Sequence, residues 1–106
     1  SFRYETIAVC HTVLPGVRTA WLVECVDAAT VERAAGGGHD AIHPWVVGLT
    51  EDDIRLAHTA GLAVNTWTCD EPDRMRELIA WGIDGICTNV PDVALAVRRE
   101  SAGSVR

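Results

Sequence analysis

The sequence predicts an α/β fold in which parallel strands alternate with helices, laid out as half of a (βα)8 barrel. Three observations lead there. A unit recurs in which an amphipathic helix ends in Gly and a short apolar strand follows at once: Pro15-Gly16 leads into 17–23, Ala60-Gly61 into 62–67, and Trp81-Gly82 into 83–87. Gly in that place takes the left-handed conformation that stops a helix. Helix starts are marked as well, by Thr50, Pro72 and Pro91. Finally, the strands recur at intervals of about twenty residues, tight for a doubly wound sheet and natural for a barrel.

Taken in order, the first helix spans 4–14 and the first strand 17–23. A helix over 28–35 precedes the Gly36-Gly37-Gly38 run. That run lacks G-x-G-x-x-G spacing and enters a strand, so it reads as a flexible connection and not a phosphate loop. A strand at 40–44 is followed by a helix at 50–60, where Thr50 and Asp53 form an N-cap arrangement and Glu51 and Asp52 face the positive helix end. The spacing of Ile54, Ala57, His58 and Gly61 fits this helix, and that of Met75, Leu78, Ile79 and Gly82 fits the next, at 71–81. Strands fall at 62–67 and 83–87, on either side of that helix, and a last helix runs over 91–99. Residues 101–106 are expected to be a flexible tail.

Short helix–strand links make right-handed crossovers and a parallel sheet. A complete barrel takes about 250 residues, and this chain has 106. Half a barrel has two open sheet edges, so the expectation is a fragment or a chain that pairs with something.

The composition agrees with one small domain: 48% of the residues are hydrophobic and 23% charged, which excludes a disordered tail. A formal charge of −6 speaks against a nucleic-acid binder. No apolar run approaches the roughly 20 residues that cross a bilayer. The sequence does not open on Met or on a signal core, so residue 1 is not expected to be the natural start. All nine basic residues are Arg, most of them on predicted helix exteriors. Cys10, Cys25, Cys69 and Cys87 form no C-x-x-C pair and read as reduced thiols, which favours a cytoplasmic compartment. Cys69 and Cys87 are expected to be buried as small hydrophobes.

A barrel works at the C-terminal ends of its strands. Glu24, His43-Pro44-Trp45, Trp67-Thr68-Cys69-Asp70 and Thr88-Asn89 fall there. Trp67 is either a pocket wall or a packed barrel-top aromatic. Thr88 and Asn89 either bind a phosphate or polyol oxygen or, as the preferred reading, cap the helix that begins at Pro91. His43 is an acid/base candidate without a visible carboxylate partner, and Glu24 is the best acid in the segment or else a rim residue. His11, His39 and His58 read as solvated. Asp84 lies in a turn at the opposite end of the barrel and reads as structural. No carboxylate pair or His–carboxylate cluster converges, so no catalytic residue and no metal ligand is assigned.

Asn65-Thr66-Trp67-Thr68-Cys69-Asp70, followed by Gly82-Ile83-Asp84-Gly85-Ile86-Cys87-Thr88-Asn89-Val90-Pro91-Asp92, resembles the C-terminal half of the glycerophosphodiester phosphodiesterase family. That family carries a V-x-x-W-T-V-N strand, a helix and then G-V-D-G-I-I-T-N-x-P. Ser1-Phe2 resembles its S-F at the end of the fourth barrel strand, and the likeness runs over 1–99. Residues 88–92 also resemble a tail motif of sphingomyelinase D barrels.

The resemblance implies a TIM barrel, here from the end of its fourth strand to its last helix over 1–100. It implies hydrolysis of glycerophosphodiesters to glycerol 3-phosphate and an alcohol with Mg²⁺ or Ca²⁺. The family's His-Arg pair, Glu-x-Asp metal ligands, second His and further Glu lie in its N-terminal half, and none occurs in this sequence. Phe2, Trp67 and Asn89 carry over as substrate-pocket walls. Cys69-Asp70 departs from the family's apolar residue and Asn, and His43-Pro44 has no assigned family role. Two functions are thus in view: part of a phosphodiesterase whose other half lies elsewhere, or a non-catalytic half-barrel that self-associates as an interaction module.

Overall fold

A computed structural model describes residues 20–104 of the chain. The predicted helix at 4–14, the start of the first strand, and Phe2, Cys10 and His11 lie outside the described residues. Strand β1 is Ala20–Val23, helix α1 Ala28–Gly36, β2 Ala41–Pro44, α2 Glu51–Thr59, β3 Ala63–Thr66, α3 Pro72–Ala80, β4 Gly85–Ile86 and α4 Pro91–Ser104. Every described element predicted from the sequence is present.

Local chemistry sets the helix ends. Asp27 accepts the Thr30 amide at 2.7 Å and caps α1. Thr50 and Asp53 form a reciprocal capping box on α2, with bonds of 3.2 and 3.0 Å. Pro72 opens α3, where its missing N–H costs nothing. Gly61 and Gly82 follow α2 and α3 with φ of 81° and 83°, a conformation in which a side chain is strained. Helix α4 runs five residues past the predicted end at 99 and carries helical backbone into the stretch expected to be a flexible tail.

The sheet is parallel throughout, in the order β1-β2-β3-β4. Right-handed crossovers between successive neighbours put every helix on the same face, the singly wound arrangement of a barrel wall. Ile42 and Val64 point from the strands into that helix layer. They pack there with Val31, Ala34, Ile54, Ala57, Met75 and Leu78, all buried. The alternation of a strand then sends Ala63, Asn65 and Trp67 of the β3 segment, and His43 and Trp45 of the β2 segment, to the other face.

Three expectations are corrected. Strand β4 has two residues in place of the five predicted: the Ile83 amide bonds back to Leu78 in α3, and although the Asp84 and Cys87 amides reach Val64 and Thr66 of β3, only Gly85 and Ile86 keep regular strand register. Cys87 is exposed, because it lies just past β4 at the sheet edge, whereas Cys69 is buried. His39 is buried where the chain turns from α1 into β2. His58 is exposed on α2 as expected, and its Nε2 lies 2.6 Å from Asp84 Oδ2. The same carboxylate oxygen accepts the Val64 amide at 2.7 Å, so Asp84 ties α2 to the start of β3 at the N-terminal end of the sheet. That is the structural role its sequence context predicts.

Candidate functional site at the strand ends

Trp67 follows directly on β3. Its amide donates to Pro44 O at 3.2 Å and its carbonyl accepts from Val46 N at 2.7 Å. Its indole Nε1–H donates to the His43 carbonyl at 2.6 Å. Trp45 stacks on it with ring centroids 6.2 Å apart and planes inclined by 24°. Trp67 is half-buried and Trp45 exposed. The pair is therefore a fixed aromatic ledge at the strand ends, which is the packed barrel-top aromatic of the sequence reading. The partnership with Trp45 was foreshadowed by register: both tryptophans sit two residues beyond a lumen-facing polar residue, His43 or Asn65.

His43 has no described carboxylate partner. Its Nε2 lies 3.1 Å from the Asn65 side-chain amide. Burial pushes its pKa below the ordinary histidine value, so the neutral ring is favoured. With Asn65 assigned as the donor, Nε2 accepts and the proton sits on Nδ1.

Asp70 holds the opposite loop. It accepts from the Asn89 amide at 2.8 Å, the Thr88 hydroxyl at 2.8 Å and the Asn89 side-chain amide at 3.1 Å. Those bonds, the Asn89 backbone amide foremost, hold the carboxyl below the usual range. The capping role preferred for Thr88 and Asn89 needs correction. Thr88 Oγ1 accepts from Val90 N at 3.1 Å, one residue ahead of α4, and does not reach the first helical turn. Thr88 and Asn89 instead brace the loop against Asp70.

Glu24 is exposed at the end of β1 and lines a groove with Trp45, Gly48, Thr50 and Asp53. Arg74, which the sequence reading placed on a helix exterior, does more. Its Nη2 donates to Val46 O at 3.0 Å and Leu49 O at 2.7 Å, its Nη1 pairs with Glu77, and its guanidinium lies 5.1 Å from the Trp81 ring centre. It pins the β2–α2 loop that carries Trp45 to α3. No local pattern marks such a residue, since its acceptors are backbone carbonyls at least 25 positions away.

Among the described residues no three His, Cys, Asp or Glu side chains converge as a metal ion requires. No described helix is long and apolar enough to cross a membrane.

Comparison with known proteins places this geometry. Residues 1–93 match the model of the glycerophosphoryl diester phosphodiesterase family. The chain belongs to that family. It is 27% identical to the glycerophosphodiester phosphodiesterase of Bacillus subtilis over 106 aligned residues, covering 93% of this chain and 35% of the relative. It is 42% identical to the probable glycerophosphodiester phosphodiesterase 2 of Mycobacterium tuberculosis over 75 residues, covering 70% of this chain and 25% of the relative. A phosphodiesterase of Oleispira antarctica, solved with the product sn-glycerol-3-phosphate, superposes with a TM-score of 0.86 at 17% identity, over 93% of this chain and 40% of that one. The chain thus spans about a third of the Bacillus relative, and its sheet and helices form part of a TIM barrel. In that barrel the Trp45–Trp67 ledge lies at the strand C-termini, the end where such barrels bind their ligands.

Proposed function

We propose that the chain forms the C-terminal part of a barrel that hydrolyses glycerophosphodiesters to glycerol 3-phosphate and an alcohol. In this reading it supplies barrel wall and pocket rim, while the metal ligands and acid/base groups come from the rest of the barrel. The observation that carries the reading is the ledge itself: an aromatic surface with its indole N–H already satisfied, standing at the strand ends of a phosphodiesterase-family barrel. Trp67 then packs against the glycerol portion of the substrate, with Phe2 and Asn89 completing the rim. The product held by the Oleispira antarctica relative is the chemistry expected here.

The family implies Mg²⁺ or Ca²⁺, which neutralises phosphate charge when bound. The described residues do not fit such an ion on their own, since no donor set converges among them. What they do is shape and position: they hold the ledge and brace the β4–α4 loop.

The test is release of glycerol 3-phosphate from glycerophosphocholine. A protein with the complete barrel is expected to turn over and to lose activity with a chelator, regaining it with Mg²⁺ or Ca²⁺; the 106-residue chain alone is expected to be inactive. Turnover by the chain alone would overturn the division of labour. Absence of turnover from the complete protein would favour the interaction-module reading instead.

A further inference from the structure

The pairing of β2 with β3 has a gap, and Trp67 hangs just beyond it. Ala63 N bonds to Asp40 O at 3.0 Å, Trp67 N to Pro44 O at 3.2 Å, and Val46 N to Trp67 O at 2.7 Å. In a parallel ladder with that spacing, the amide of residue 44 would donate to the Asn65 carbonyl. Residue 44 is proline and has no N–H. Regular pairing accordingly stops at Ile42↔Val64 and resumes as the isolated bridge Trp45↔Trp67.

Side chains cross the gap. Thr66 Oγ1 donates to Pro44 O at 2.9 Å, the Trp67 indole donates to His43 O at 2.6 Å, and the Asn65 amide meets His43 Nε2 at 3.1 Å. The third contact is possible because of a neighbour. A Cβ on Gly85 would stand 2.4 Å from Asn65 Oδ1, so the bare glycine of β4 is what admits this side chain. Burial keeps the His43 ring neutral and leaves Nε2 a lone pair to accept with.

We infer that Asn65 is a positioning residue for the pocket wall: by gripping the His43 imidazole across the break at Pro44, it fixes the carbonyl from which the Trp67 indole is hung. The inference rests on the proposed reading only in taking Trp67 as substrate wall.

The experiment uses the protein with its complete barrel. Asn65→Ala is expected to raise KM for glycerophosphocholine by roughly three- to tenfold, the worth of one hydrogen bond, with kcat nearly unchanged. The Trp67 contribution to fluorescence, isolated by difference from Trp67→Phe, is expected to shift in the same variant. Gly85→Ala should reproduce both effects in the parent background and add little to Asn65→Ala, since it acts by expelling the same side chain. An Asn65→Ala protein with unchanged KM and unchanged Trp67 emission would overturn the inference, as would a fall in kcat at constant KM. Should Gly85→Ala fail to fold, Asn65→Ala decides alone. If the parent protein shows no turnover at all, the functional reading fails, while the emission change still decides whether Asn65 sets Trp67.

Discussion

Asp70 shows how much a single side chain can organise: with three donors it ties the loop after β3 to the loop after β4. Its carboxyl pKa is held below the ordinary value, so its contribution is present above the unfolded carboxylate range and is lost as pH falls through the folded pKa. The protection factor of the Asn89 amide, its exchange rate relative to the unstructured rate at the same pH, is therefore expected to fall in acid below about pH 4. Asp70→Ala should give the same loss of protection at neutral pH, measured by hydrogen–deuterium exchange. Sequence made Trp67 visible at this scale, because a tryptophan between polar residues at a strand end is unusual by itself. It did not make the His43–Asn65 contact visible. The two residues are 22 positions apart and meet only through strand register. The roles of Thr88 and Asn89 were misjudged for a related reason: a helix start lies within local reach, while Asp70 is 18 positions away.

Among the elements, helices were more legible than strands. Each described helix start carries its own chemistry, at Asp27, Thr50, Pro72 and Pro91, and the glycines after α2 and α3 mark the exits. Thr50→Ala removes one half of a reciprocal box and is expected to destabilise the fold by about 1 kcal/mol, read as a lower Tm. Strand lengths are set by neighbours, which periodicity does not report. The apolar run at 83–87 reads as a full strand, yet the Ile83 amide turns back to Leu78 and only Gly85–Ile86 hold regular strand register against β3. Likewise nothing local announces that Pro44 divides the β2–β3 pairing into two parts.

For the molecule as a whole, the single direction of winding gathers all four described helices on one face and leaves the polar residues His43 and Asn65 on the other. The core between sheet and helices is contiguous, and Leu78 sits fully buried within it. Leu78→Ala is expected to cost about 2–5 kcal/mol, measured by denaturant unfolding. The alternation of helix and strand was enough to foresee this architecture, because the handedness rule leaves few other ways to connect such elements.

Gly85 also carries a consequence for how this protein can change over generations. With Asn at 65, any side chain at 85 would collide with it. Once residue 65 has shortened, that obstacle disappears. A side chain at 85 is therefore accommodated more readily after the change at 65, because before it the Asn65 side chain must give up its place beside His43. Among homologous sequences, a long residue at 65 should be accompanied by glycine at 85 far more often than chance pairing would give.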